Sequence, residues 1–519
     1  MLGIHKKYHI RQESIHGRTK YHQTSFCLIS LSDLHKPFTD TPCRPLKKAA
    51  ASSFAAVLLI ACVIVYVGWL DTSVFSGVSS FQNVVISSNS TMPTQKPEFP
   101  LECSTNNQTQ TCPREYPATS PDINTSNLTC PSFFRWIHED LRYWKQTGIT
   151  QDMIERARRT AHFRLVIVNG TAYVEKYRNS IQTRDKFTLW GILQLLRLYP
   201  GRLPDLELMF DCDDRPVVGS RDYQGPDARA PPPLFRYRAD EWSMDIMKLI
   251  LGFGYLCIRA ETNIRPWGNL LEEMRKGKQR RKWKERVAYA YRNDLMKCNV
   301  TDQINWNTLL YVQDLELESK QGFKQSNLED QCTHRYKIYR EGWEWWVSEK
   351  YILACDSMTL YIRPQFYNFF IRGMVALQHY WPIRHYSKCK SLKFAVHWGN
   401  LHPHKAASNF IQEDLKMDNV YNYMFHLLNE YAKLLKFKPT IPPTAVELCS
   451  EMMACQETGT WRKFMAESLV MSHGNATPCA MPPPYEPLQL REFLETKANS
   501  TRQVEIWEDQ YCLTSDKKQ

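Results

Sequence analysis

The sequence lacks internal repeats, lacks cysteine or histidine pairs at zinc-ligand spacing, and has fewer acids than bases. Cys449 and Cys455 have no second cysteine pair and no histidine pair nearby, which argues against a structural metal and makes disulfides the better use of the 16 cysteines. With 66 Lys and Arg against 54 Asp and Glu, the net charge is +12. Yet 29 prolines and 16 cysteines scattered through a body that is 12% aromatic do not make a basic nucleic-acid module. An anionic sugar nucleotide or a membrane surface suits that charge better. At 519 residues and 43% hydrophobic, the chain can bury the core of one large or two medium domains.

One absence is local and decides the compartment. Residues 49 to 70, AAASSFAAVLLIACVIVYVGWL, contain no charge for 22 positions. At about 1.5 Å per residue, such a helix crosses a hydrocarbon layer of about 30 Å. A buried core helix or a cleaved signal peptide is the competing reading, and the length of the run and its distance from the start weigh against both. Residues 1 to 48 hold nine Lys and Arg against three acids, so the positive-inside rule keeps this tail cytosolic and predicts a single-pass type II protein. No sequon precedes the run, whereas eight follow it, at Asn89, Asn107, Asn124, Asn127, Asn169, Asn299, Asn475 and Asn499. Thirteen of the 16 cysteines also follow it, as an oxidising lumen permits. The C-terminal TSDKKQ is not a KDEL-type retrieval signal, which points to the Golgi membrane ahead of the endoplasmic reticulum.

Residues 71 to 116 are rich in Ser, Thr, Asn, Gln and Pro, a composition that buries too little apolar surface to fold alone. They read as a disordered lumenal stem whose last part is tied down by Cys103, Cys112 and Cys130. The lumenal domain then runs from 117 to 519. FFRWIHEDLRYWKQTG sets Phe134, Ile137, Leu141 and Trp144 at helical spacing. HFRLVIVNGTAYVEKY reads as two strands around an Asn169-Gly170 turn, FTLWGILQLLRLYP as a buried helix ended by Pro200, and LPDLELMFDCDDRP as another strand. Later, YKIYREGWEW, VSEKYILAC and SMTLYIRP read as strand, helix and strand, a βαβ unit. Ser348 is a fitting N-cap there, and Lys350 lies in the first turn, so that helix start can meet a phosphate or can simply be a capped core helix. Helices alternating with short apolar strands predict an α/β fold.

Several strings carry a resemblance: CPSFFRWIHEDL, ELMFDCDDRP, PPPLFRY, WSMDI, NIRPW, CNVTDQINWN, DQCTHRYKIY, VSEKYILACDSMTL, HYWPIR, FAVHWGN and FIQEDLKMDNVYNYMFHLLNEYAKLL. From about Cys130 to the C-terminus the chain resembles the plant Rumi-like O-glycosyltransferases of glycosyltransferase family 90. The resemblance implies a GT-B-like fold of two Rossmann-like halves, here about 130–290 and 291–450 with C-terminal helices returning, and an active site in the cleft between them. It implies inverting transfer of glucose or xylose from a UDP-sugar to a hydroxyl of a protein or polysaccharide, with no metal and no other cofactor.

Inverting transfer needs an ionised carboxylate to take the acceptor proton, and cationic or backbone donors to stabilise the departing diphosphate. Asp214 stands at the end of the strand ELMFDC, and matches the family's acid two residues before a proline, here Pro216. Asp211 and Asp213 compete with it. Without the resemblance Asp214 reads as a turn former, and direct metal binding by the acidic cluster lacks a neighbouring histidine. Arg335, Lys337, Ser348, Glu349 and Lys350 fall in the segment resembling the nucleotide-binding half, with Lys350 the leading phosphate partner. Trp242 and Asp245, in WSMDI, resemble residues of the acceptor or sugar pocket, although Trp242 also reads as core. The resemblance breaks at 247–259, at 292–293 and at 401–405, and Arg238 stands where it implies a cysteine. Cys257 arrives with the first break and makes the lumenal cysteine count odd. These breaks remove cleft residues, so the alternative expectation is a non-catalytic lumenal glycan- or protein-binding member of the same fold.

Overall fold

The computed structural model describes residues 99–104, 110–113, 128–180, 183–225, 228–247, 265–286, 289–291, 309–311, 330, 332–341, 348–402, 409–472 and 477–516. The apolar run at 49–70 lies outside the described residues, as do the basic tail, Cys257, most of the three departures, and every sequon except Asn169 and Asn499. Among the described residues no helix is long and apolar enough to cross a membrane.

Phe134, Ile137, Leu141 and Trp144 are all buried, as their spacing predicts. The segment is not one continuous helix: α1 (Trp136–Asp140) sits between 3-10 turns at Ser132–Arg135 and Arg142–Trp144. After α2 (Gln151–Ala157), β1 (Phe163–Val168) and β2 (Thr171–Lys176) form the expected hairpin. Its loop is only Asn169 and Gly170, with φ of 50° and 78°. Two left-handed residues give the turn whose twist matches the flanking strands, and Asn-Gly is the pair that adopts it most readily. The buried helix α3 (Arg184–Leu198) and strand β3 (Leu206–Phe210) follow as the sequence predicts.

β4 (Leu234–Arg236) and β5 (Ile246–Met247) continue the sheet in parallel beyond β3, while β3 itself is antiparallel to β1. Only the β3–β5 edge therefore has the order expected of a Rossmann-like half. The other edge is antiparallel because a two-residue loop cannot carry a crossover.

Past β5 come α4 (Trp267–Gln279) and the parallel pair β6 (Tyr289–Tyr291) and β7 (Leu309–Tyr311). The predicted βαβ unit is present: β8 (Tyr336–Tyr339), α5 (Ser348–Ala354) and β9 (Met358–Ile362), with β8 and β9 parallel. β10 (Trp381–Ile383) adds a third parallel strand, and α6 (Lys388–Leu401) packs across this sheet. After α7 (Met417–Ala432), the chain returns to the first sheet, where β11 (Val446–Leu448) pairs with β2. The first sheet thus reads β11-β2-β1-β3-β4-β5 and the second β10-β9-β8. Helices α8 (Ser450–Ala454), α9 (Gly459–Glu467) and α10 (Pro487–Asp516) close the fold.

Three disulfides bind the described residues that precede β1 to the far end of the chain: Cys103–Cys455, Cys112–Cys449 and Cys130–Cys479. A fourth, Cys332–Cys355, clips the βαβ unit, and Cys389 is also disulfide-bonded. Residues 99–113, stem-like in composition, are therefore stapled to the domain where they are described.

Helix α6 approaches the second sheet closely at Gly399. A Cβ there would lie 2.6 Å from Met358 Sδ and 2.8 Å from Tyr336 Cε1, both buried. Gly399→Ala is expected to lower the unfolding free energy by about 1–3 kcal/mol through overpacking. Gly268→Ala, where a Cβ meets nothing within 4 Å at an exposed position of α4, should leave it unchanged or slightly raised. Urea midpoints of the two variants check the contrast, and equal midpoints would contradict the close approach.

Candidate active site

In parallel sheets, ligands bind outside the carboxyl ends of the strands, where loops and main-chain donors converge. Both parallel sets here send those ends toward one another. Arg238, after β4, ion-pairs with Glu341, after β8, at 2.9 Å. Ala239 bridges Tyr367, and Glu241 meets Arg363 at 3.0 Å. Asp211 to Asp214, at the carboxyl end of β3, belong to the same rim.

Asp211 and Asp213 share His162 and Arg178, while Asp214 pairs with a separate arginine. Asp211 is buried, accepts from Arg236 on β4, and lies 3.2 Å from His162 Nδ1 and 3.5 Å from Arg178 Nη2. Burial pushes its carboxyl up, but the His162 contact, Arg236 and the Asp213 N–H outweigh this and hold it below the usual range. Asp213 is half-exposed and lies 3.6 Å from both His162 and Arg178. Asp214 takes another path: its Oδ1 accepts from Arg184 Nη1 at 2.6 Å, and that guanidinium also donates to the Cys212 carbonyl at 2.9 Å. Arg184 is buried at the start of α3, and the Asp214 side chain keeps 16% exposure. Its Oδ2 has no hydrogen-bond partner among the described residues, so one oxygen is fixed and the other is open.

Asp245 closes the base of this group. Its Oδ2 accepts the N–H groups of Val217 and Val218 at 3.1 Å each, and its Oδ1 is 3.9 Å from Arg236 Nε. Burial, only partly offset by Arg236, raises its pKa to about 7. Trp242 is 64% exposed on the same rim, with the Arg221 guanidinium 5.8 Å from its ring, so it is not core.

The donor-side residues are dispersed. Arg335 precedes β8 and donates to Asn400 Oδ1 at 2.7 Å and to the Arg286 carbonyl, at the amino end of its sheet and away from Asp214. Lys337 is buried within β8, where burial and then Arg286 lower its pKa to about 7. Ser348 opens α5. Lys350 is buried against aromatic rings, its ammonium 4.7 Å from the Trp267 centroid and 5.0 Å from that of Tyr351, and burial lowers its pKa well below the ordinary lysine range. Its neighbour Glu349 accepts from Tyr361 Oη at 2.5 Å and Asn368 Nδ2 at 2.6 Å, and burial raises its pKa to about 7.

Sequence proximity gave no sign of His162, Arg178 or Arg184. His162 reaches the aspartates because β1 and β3 pair antiparallel, and its main-chain N–H donates to the Phe210 carbonyl. Together His162, Asp211 and Asp213 bring three possible metal ligands within 4.8 Å of one another. The guanidiniums of Arg178 and Arg236 already occupy that carboxylate cluster.

The sequence model for glycosyl transferase family 90 matches residues 125–508. An "O-glucosyltransferase rumi homolog" of Aedes aegypti is 23% identical over 382 residues, covering 69% of this chain and 91% of that protein. The "O-glucosyltransferase rumi" of Drosophila melanogaster is 22% identical over 357 residues, 62% of this chain and 82% of its own length. Human "Protein O-glucosyltransferase 1" is 23% identical over 344 residues, 61% of this chain and 83% of its own.

A carboxyl with a higher pKa folded than unfolded contributes stability that is full below about pH 4 and is lost as pH rises through the folded value, here about 7. Asp245→Asn removes that loss. Between pH 5 and pH 8 the variant's stability relative to the unaltered chain should therefore improve, by on the order of 1 kcal/mol or more. Urea unfolding at the two pH values measures it, and a pH-independent difference would show that the carboxyl does not titrate in this window.

Proposed function

The chain belongs to glycosyl transferase family 90, and from that premise we propose a type II Golgi-membrane enzyme that transfers glucose or xylose from a UDP-sugar to a hydroxyl of a protein or polysaccharide, with inversion. The observation that carries the reading is the Asp214 carboxylate at the carboxyl end of β3, with one oxygen anchored by a buried arginine. In this reaction the acceptor oxygen attacks the anomeric carbon as the bond from that carbon to the diphosphate breaks. The acceptor proton passes to Asp214 Oδ2, and UDP leaves with the bonding electrons. Arg184 keeps the carboxylate oriented, and Trp242 offers a stacking face. The start of α5, at Ser348, is the donor-side element, and the reading does not rely on Arg335, Lys337 or Lys350, whose ammonium is buried against the Trp267 and Tyr351 rings.

Metal-independent transfer is favoured by the two arginines that already neutralise the Asp211–Asp213 cluster. A divalent ion would have to displace them. Lumenal location is favoured by the apolar segment at 49–70, by the one-sided sequons and by the disulfides.

Full-length protein in detergent, given UDP-glucose or UDP-xylose and assayed for UDP release, is expected to turn over. Asp214→Asn should lower the rate by about a hundredfold or more while leaving UDP affinity within about twofold. Arg184→Met should lower the rate with the substrate KM little changed. UDP binding without turnover in the unaltered chain, or full activity in Asp214→Asn, would reject this assignment, the first in favour of a non-catalytic lumenal binding protein.

A further inference from the structure

A cavity of about 500 Å³ opens at the other end of the first sheet from Asp214, where β3 begins and the β1–β2 hairpin turns. Its walls come from four separated stretches: the stapled segment at Phe99 and Thr111, the hairpin turn, α3 with Leu196, and β11 with Glu447. Cys112–Cys449 holds the first stretch against the last. Arg197 ties a third side, donating to the Val470 carbonyl at 2.9 Å and to the Phe99 carbonyl. The walls are mixed, with the ring of Phe99, Leu196 and Pro200 beside the polar groups of Thr111 and Glu447.

Asn169 lines this cavity and is the acceptor of the sequon Asn169-Gly170-Thr171. The turn that presents it is set by two positive φ angles, and its main-chain N–H is bonded to Asp205 Oδ1 at 2.8 Å. The residue is exposed, and its carboxamide has no hydrogen bond among the described residues. A pyranose has apolar C–H faces and a hydroxyl edge, which is the mixture that lines the cavity.

We propose that Asn169 carries an N-linked glycan and that the first N-acetylglucosamine of that glycan seats in this cavity, covering the junction between the stapled segment and β11. The inference rests on the lumenal location argued above. In the modification, Asn169 Nδ2 forms the bond to C1 of the sugar as the bond from C1 to a lipid-linked diphosphate breaks; the amide proton goes to the base of the transferring enzyme. Asn499, exposed on α10 and away from these walls, is the internal comparison.

The test is to express the full chain in a eukaryotic secretory host and map sequon occupancy by peptide mass spectrometry. Enzymatic deglycosylation is then followed at each occupied site, before and after denaturation. Asn169 is expected to be occupied, and its glycan to be released about tenfold or more slowly from the native protein than from the denatured one. The Asn499 glycan, if attached, should show little difference. Phe99→Ala should remove most of the protection while leaving Asn169 occupied. An occupied set that omits Asn169, or an Asn169 glycan released equally fast in both states, overturns the proposal and leaves the lumenal reading intact. No occupancy at any sequon overturns both.

Discussion

A buried carboxylate at the end of β3 governs the candidate site. Placing an ion such as Asp211 away from water costs several kcal/mol unless partners replace the lost hydration. The partners here are Arg236, on the adjacent parallel strand, and His162, immediately before the antiparallel neighbour β1. Because both flanking strands contribute, the register of β1, β3 and β4 is locked where the chain leaves the sheet. The freed main chain then turns tightly, with the Asp213 N–H donating to Asp211 Oδ1 at 2.9 Å. That turn delivers Asp214 to Arg184.

The second sheet meets this rim through ion pairs and hydrogen bonds at its own strand ends. Glu341 accepts from Arg238 and from the N–H groups of Gln365 and Phe366, while Tyr367 Oη donates to the Asp240 carbonyl at 2.9 Å. Arg238, where the family resemblance implies a cysteine, thus makes a contact between strand ends that a thiol could not make. Beneath them, aromatic rings from distant stretches fill the core, with Phe133, Phe369 and Tyr423 mutually within 6.0 Å of one another. Charge orients the rim, and packed rings hold the elements that carry it.

Much of the local architecture was legible in sequence, because it is set by residues a few positions apart. The Asn169-Gly170 hairpin, the buried α3 and the βαβ unit all follow from apolar period and turn chemistry. Asp214 is singled out by its place at a strand end together with the family motif. What could not be read depends on partners brought together by pairing. The antiparallel edge of the first sheet is one case, and His162 and Arg184 at the aspartates are others. Lys350 reads in sequence as the leading phosphate partner on a first helical turn; the packing of Trp267 and Tyr351 around its ammonium is a property of the folded molecule. Disulfide partners were equally closed to sequence, since parity and spacing say that pairs exist without saying which.

The three long-range disulfides have a consequence for how the molecule responds to damage. Cys103, Cys112 and Cys130 are joined to Cys455, Cys449 and Cys479. Everything from β1 to β11 therefore lies inside three overlapping covalent rings. A single peptide-bond break in any loop between Cys130 and Cys449 opens the rings without detaching a fragment, so a nicked molecule keeps its mass and its tether until a reductant reaches the sulfurs.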